Sequence, residues 1–262
     1  MINKYFQKFS DHASHQFRRL FAETAWALDP VHWISARKLT KLKDKHKGER
    51  CFIIGNGPSL NEMDLALLKN ETTIGLNRIY LLFERMGFST KYLVCVNKLV
   101  LEQWRNDFNS LPITKFISRK ARDYIDFSEN TIFIDTLYTG NLDFSTNISN
   151  KIHEGSTVTY VAMQIAYHLG FETVILIGVD HNFQTKGEPH KTVISDKPDA
   201  NHFDPNYFGK GFKWQLPDLV TSEKAYGLAK KYFEADGRRI LDATVNGKLE
   251  IFEKIDYYSL FE

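Results

Sequence analysis

The sequence predicts a doubly wound, mostly parallel α/β sheet. Three observations carry that prediction. Short apolar runs bounded by turn formers alternate with segments of helical period along residues 50–244. Two of those runs, CFIIG (51–55) and TVILIGVD (173–180), are apolar at every strand position, as expected for strands covered on both faces. The first of them runs into a glycine-rich turn, NGPSL (56–60). Together these features describe a Rossmann-like sheet with a ligand crevice at the carboxyl ends of its strands.

The elements follow in chain order. Residues 1–30 have helical spacing, with Phe6, Phe9, Phe17, Leu20 and Phe21 interleaved with Lys4, Lys8, Arg18 and Arg19. Trp26, Leu28 and Trp33 surround Pro30. Residues 37–50 (RKLTKLKDKHKGER) read as a charged connector, so the expected division is a basic helical extension over 1–48 and a transferase-like α/β domain over 49–262. CFIIG opens the sheet. DLALLK (64–69) reads as a short helix, TTIGLN (72–77) as a strand and IYLLFERMG (79–87) as a helix closed by Gly87. YLVCVN (92–97) is a strand, VLEQWRNDF (100–108) a helix, and TKFISR (114–119) and NTIFID (130–135) are further strands. GSTVTYVAMQIAYHLG (155–170) is a helix with Ser156 or Thr157 as its cap and Gly170 as its stop. TVILIGVD follows. Residues 183–217 are rich in Pro, Gly, Asp, Asn and His and are expected to form a long active-site loop or lid. SEKAYGLAKKYFEADG (222–237) and RILDAT (239–244) complete the domain as a helix and a strand.

Composition narrows the function classes. With 43% hydrophobic residues in 262, the chain can bury a core of one large domain. The formal charge of +2 names no partner, but the first 50 residues hold eleven Lys or Arg against five Asp or Glu. Such an arm suits an anionic contact, either an interfacial helix on a membrane or a partner, or else a helix on its own domain. Cys51 and Cys95 lie inside apolar runs and form neither a disulfide framework nor a zinc spacing, which points to a reducing cytoplasm. No apolar run approaches the roughly 20 residues of a membrane span, and no secretory signal is evident.

The candidate site residues sit at the predicted strand ends. In IIGNGPSL, Gly55 and Gly57 allow close backbone approach to a ligand, while Asn56, Pro58 and Ser59 shape the turn and add donors. No Gly-Lys-Ser/Thr follows, and Leu60 occupies the third glycine position of the dinucleotide pattern. Asn77, Asn97 and Asp180 each end a strand and are expected to converge there, since asparagine bonds a ribose or base edge without placing charge beside phosphate. The lid region carries His181, His190 and His202 with Asp196, Asp199 and Asp204. One histidine can serve as a general base oriented by a carboxylate. Alternatively, Asp180, His181 and Asp204 can hold Mg²⁺ beside a diphosphate. Lys210, Lys213 and Arg119 are cationic candidates for leaving-group charge, and Tyr207 and Trp214 either cover a ring or fill the core.

The blocks FIIGNGPSLNEMD (52–64) and GSTVTYVAMQIAYHLGFETVILIGVDHNF (155–183), with strands ending in Asn77 and Asn97 between them, resemble the MptE-like domain family, named for an archaeal 6-hydroxymethylpterin diphosphokinase. They are also similar to bacterial CMP-sialic-acid-dependent sialyltransferases. The resemblance extends through NHFDPNYFGKGFKW (201–214) to the end of the chain. The sialyltransferase likeness implies a metal-independent glycosyltransferase of surface-polysaccharide synthesis that moves a sugar from a CMP donor to a glycan or lipid-linked acceptor. Gly55, Asn56, Gly57, Ser59, Asn77, Asn97, Ser156 and Thr157 would then lie around the donor, with His202 as base and no cofactor beyond the donor itself. Asn182 and Phe183 stand where those enzymes carry phosphate-binding tyrosines. The diphosphokinase likeness implies Mg²⁺, ATP and a pterin-like alcohol, with Asp180 as metal ligand. A nucleotide-binding subunit without catalysis is the third reading. The expected location is the cytoplasm or the inner face of its membrane, with no nucleic-acid partner and with self-association left open.

Overall fold

The computed structural model describes residues 23–138, 141–184 and 187–262. The aromatic and basic positions from Lys4 to Phe21 that shaped the reading of the N-terminal arm lie outside these residues. Among the described residues no helix is long and apolar enough to cross a membrane.

Eight parallel strands form the central sheet: β1 (Arg50–Ile54), β2 (Thr73–Leu76), β3 (Tyr92–Cys95), β4 (Thr114–Ser118), β5 (Thr131–Ile134), β8 (Thr173–Ile177), β11 (Arg239–Asp242) and β12 (Glu253–Lys254). Their spatial order is β12-β11-β8-β1-β2-β3-β4-β5. The chain therefore winds outward from β1 to β5 in one direction. It then returns to place β8 on the other side of β1, in register over Arg50↔Thr173 to Ile54↔Ile177. The reversal point lies between β1 and β8, where a doubly wound sheet opens a crevice at its carboxyl edge.

Alternation along β1 explains the two cores. Phe52 and Ile54 pack on one face with Leu60, Trp104, Tyr207 and Trp214. Cys51 and Ile53 pack on the other, against helices α5 (Val158–Leu169) and α6 (Leu219–Ala235). Small and apolar residues at nearly every position let α5 sit buried across β1, β2 and β3. Thr157 caps it and Gly170 ends it in the left-handed conformation.

Several expectations are corrected. The charged connector begins as a helix: α1 spans Pro30–Leu42, with Asp29 as N-cap and Pro30 at its first position. Arg37 and Lys41 are exposed, Lys38 turns in to backbone carbonyls beside β5, and Val31, Ser35 and Leu39 are buried. DLALLK forms a 3₁₀ segment rather than an α-helix. IYLLFERMG is a 3₁₀ turn leading into a single helical turn, α2 (Phe83–Met86). The helix expected at 100–108 is two, α3 (Lys98–Gln103) and α4 (Arg105–Ser110), broken at Trp104. The lid region is not an irregular loop throughout, because β9 (Thr192–Ile194) and β10 (Lys213–Gln215) pair antiparallel within it. Phe203, Tyr207, Phe208, Trp214 and Leu216 anchor it in the core. A second short parallel pair, β6 (Thr136–Leu137) with β7 (Ile152–His153), was not anticipated.

Candidate functional site

The reversal point is built by two turns pressed against each other. After β1, Gly55 and Gly57 run so close to the turn after β8 that neither can carry a side chain. A Cβ at Gly55 would meet the Gly178 carbonyl oxygen at 2.2 Å, and one at Gly57 would meet Asp180 Oδ2 at 1.6 Å. The Gly57 N–H donates to Gly178 O at 2.9 Å. Asp180 closes the join: Ser59 N–H donates to Oδ1 at 3.0 Å and Ser59 Oγ to Oδ2 at 2.7 Å. Burial holds the Asp180 carboxyl above the usual range despite those two hydrogen bonds.

Around this join lies a cleft of about 510 Å³. Gly55, Asn56 and Gly57 line it from β1, Asn77 from β2, Asn97 from β3, Ser156 and Thr157 from the start of α5, and Asp180 and His181 from β8. His190 and His202 line it from the lid. Of the sequence-predicted positions, Pro58 and Ser59 stand outside that lining. The Ser59 hydroxyl is spent on Asp180.

Among the described residues three polar atoms at the cleft are buried without a hydrogen-bond partner: Asn56 Oδ1, Asn77 Oδ1 and Ser156 Oγ. Asn77 (φ 47°) and Ser156 (φ 63°) also hold left-handed backbone, a cost that persists where the surroundings enforce it. Unpaired buried polar groups are expensive, and a ligand bearing hydroxyls or amides would satisfy them. Asn97 and Thr157 are already engaged, each as a helix N-cap. Thr157 Oγ1 also lies 3.3 Å from the Tyr226 hydroxyl.

The lid supplies a histidine–carboxylate pair. His202 Nδ1 lies 2.7 Å from Asp199 Oδ2, and the imidazole stacks on Tyr207 with centroids 4.0 Å apart and planes at 4°. Burial alone would raise Asp199. The hydrogen bond and charge of His202, with the N–H groups of Asn201 and Phe208, outweigh it and hold the carboxyl below the usual range. The pair thus fixes the ring and leaves Nε2 without a partner among the described residues, on a residue that lines the cleft. His181 is tied differently, through Nε2 to Glu223 at 2.8 Å. His190 Nε2 lies 2.9 Å from the Tyr138 hydroxyl and 3.3 Å from Asp218.

The cations at the cleft are not those expected. Lys210 and Lys213 are exposed and outside its lining, and Arg119 is drawn away by ion pairs with Asp135 and Glu23. Lys98 and Lys120 line the cleft instead, with Lys120 paired to Glu154 at 2.6 Å. Each directly follows a strand-end residue, Asn97 or Arg119, which was the available sequence signal. Tyr138, Asn201, Gln215 and Tyr226 complete what sequence reasoning missed. Among the described residues no three His, Cys, Asp or Glu side chains gather as a metal site would require. Asp204, the third member of the rival Mg²⁺ set, lies outside the cleft lining, and both Asp180 oxygens are already hydrogen-bonded.

Residues 30–186 match the family model described as 6-hydroxymethylpterin diphosphokinase MptE-like. No curated protein matches the chain. The match starts at the first residue of α1, which the sequence reading had set apart from the domain, and takes in both turns of the reversal point. It stops before Asp199 and His202. Since it spans more than half of the chain, the protein belongs to the MptE-like family.

Proposed function

We propose that the protein is a nucleotide-dependent transferase that moves a sugar from a nucleotide donor, with a CMP-sugar as the first candidate, to a hydroxyl of a glycan or lipid-linked acceptor. The observation that carries this reading is the His202–Asp199 pair, whose Nε2 has no partner among the described residues, on the same cleft as the unpaired Asn56, Asn77 and Ser156. In this reading the nucleotide lies over the β1–β8 join and meets the unpaired atoms with its ribose and base. His202 Nε2 takes the proton of the acceptor hydroxyl. The acceptor oxygen bonds the anomeric carbon as the bond from that carbon to the donor phosphate oxygen breaks, and the nucleoside monophosphate leaves with the electron pair. Asp199 holds the ring in place and stabilises the imidazolium that forms. Lys98 and Lys120 stand ready to offset charge on the leaving phosphate.

The description of the matched family favours a second reading, transfer of diphosphate from ATP with Mg²⁺. The cleft residues do not fit a protein-built Mg²⁺ site, so no step is assigned to the metal. One panel separates the readings: thermal shift with CMP, CDP, UDP, GDP and ATP, each with and without Mg²⁺. Stabilisation by CMP in both arms is the expected result. Stabilisation by ATP only with Mg²⁺ would overturn the glycosyl reading. Substitution His202→Ala is expected to lower donor turnover by roughly 10²–10⁴-fold while nucleotide binding persists. Unchanged turnover would remove His202 from the mechanism.

A further inference from the structure

Among the described residues nothing covers the outer face of helix α1. Its inner side is fully used: the Phe133 N–H of the edge strand β5 donates to Ser35 Oγ at 3.1 Å, and Lys38 Nζ donates to the carbonyls of Ser128, Glu129 and Thr131. The outer side presents large apolar groups to solvent, Trp33 (64% exposed) and Ile34 (40%), and Leu28 (75%) is exposed just ahead of the helix cap. Along the same helix face follow Arg37 and Lys41, both exposed, and just beyond it the exposed Lys43, Lys45 and Lys47. Only Asp44 and Glu49 oppose them locally.

The helix runs antiparallel to the sheet strands. At its start, Glu23 pairs with Arg119 (2.7 Å) and Lys151 (2.7 Å), both of which also hold Asp135, beyond the carboxyl end of β5. Beyond its end, His46 stacks on Phe171 and bonds Tyr92 at the amino edge. The apolar part of the face thus lies toward the edge that carries the cleft, and Arg119 is the chain neighbour of the cleft-lining Lys120. The 22 residues that precede Glu23 add five more large apolar side chains, from Phe6 to Phe21, with Lys4, Lys8, Arg18 and Arg19 among them.

We propose that the outer face of α1, with Trp33 and Ile34 toward one end and Arg37 and Lys41 toward the other, docks on the surface of an anionic lipid bilayer, with the exposed Leu28 and Lys45 flanking it. Its chemistry fits that occupant on two counts. Tryptophan and aliphatic side chains enter the headgroup boundary, and each cation near an anionic surface strengthens binding roughly fivefold. A helix seated flat in this way holds the β5 side of the sheet against the membrane, whatever group the cleft transfers.

The test is co-sedimentation of the full chain with phosphatidylcholine vesicles and with vesicles in which phosphatidylglycerol replaces part of that lipid, at low and high salt. Binding to the anionic vesicles that weakens with salt is expected. Trp33→Ser with Ile34→Ser should weaken it by at least about tenfold, and so should Arg37→Glu with Lys41→Glu. Both pairs are exposed and away from the cleft, so the melting temperature should hold. No binding by the full chain, equal binding to neutral vesicles, or unaltered binding by both variants would overturn the proposal. So would a concentration-dependent dimer that either variant abolishes, because a second copy would then be the occupant.

Discussion

His202 is positioned by contacts that no single stretch of sequence contains: a carboxylate three residues back, a ring five residues ahead, and Arg78 behind that ring. The Tyr207 hydroxyl accepts from the Arg78 N–H at 3.2 Å, and the Arg78 guanidinium lies 3.9 Å over the Trp104 ring. Asp199 also carries a pH signature. Its folded-state pKa lies below the unfolded value, so the unfolded chain takes up the proton first as pH falls. Its stabilisation is fully present above the usual carboxylate range and is lost as pH drops through the folded pKa. Asp199→Asn is therefore expected to cost about 1–3 kcal/mol near pH 7, the worth of hydrogen bonds to a charged group, and much less near pH 3. Urea midpoints at both pH values check this, and a gap that does not change with pH would remove the ionic coupling. Asp180 has the opposite sign. Burial raises its pKa, so its ionised form weakens the fold above that pKa and the penalty fades as pH falls. Asp180→Asn is expected to cost less near pH 7 than Asp199→Asn, because an amide oxygen still accepts from Ser59 N–H without the buried charge. A larger loss for Asp180→Asn in the same titration would contradict that ordering.

At the scale of elements, the sheet edge at β5 shows what one side chain can decide. The Phe133 N–H has no strand beyond it, and Ser35 Oγ of α1 is its partner in the core. Ser35→Ala leaves that N–H buried and unpaired, at an expected cost of about 1–3 kcal/mol in denaturant unfolding. Ser35→Thr, which keeps the hydroxyl, should lose less if the hydrogen bond is the cause. The strands most legible in the sequence were those with four or five consecutive apolar residues, such as CFIIG and TVILI, because burial on both faces removes every polar position. The pairs β6–β7 and β9–β10 were not legible. Two or three residues have no period, and their pairing joins positions 16 to 23 residues apart. The second half of α1, from Arg37, was read as part of a connector because Lys and Arg crowd it; Asp29 before Pro30 was the local signal that a helix begins there. At the site, strand-end residues were readable because parallel strands bring all their carboxyl ends to one edge. Arg119 was misassigned because the carboxylates that hold it, Glu23 and Asp135, are remote in sequence or on another strand.

On the scale of the whole molecule, the cleft joins the hydrogen-bonded strands β8, β1, β2 and β3 to a lid that lies outside the sheet. Its walls come from β1, β2, β3, α5, β8 and the lid, and the lid is fastened to the body by its five buried side chains, by Arg78, by the Phe203 N–H to Asn56 O (2.9 Å) and by the Asn61 amide to Phe203 O (2.9 Å). A nucleotide that satisfies Asn56 and Asn77 therefore touches residues directly attached to the lid fasteners. Binding to the folded state alone raises stability by about 2.7 kcal/mol at a hundredfold excess over Kd, which for a domain of this size is a rise of roughly 5–10 °C in melting temperature. Arg78→Ala keeps the backbone N–H to the Tyr207 hydroxyl but removes the guanidinium hydrogen bonds to the carbonyls of Asn206 and Tyr207 in the lid, and strips a buried cation from Trp104. It is expected to lower the melting temperature of the free protein. More tellingly, it should raise hydrogen exchange across residues 183–217 while the strands β1, β2 and β8 keep their protection. If the lid is coupled to the cleft as the contacts imply, saturating nucleotide slows exchange in 183–217 of the wild type, and the same nucleotide slows it less in the variant. Lid exchange that ignores nucleotide in both proteins would instead mean that the lid and the switch point open independently.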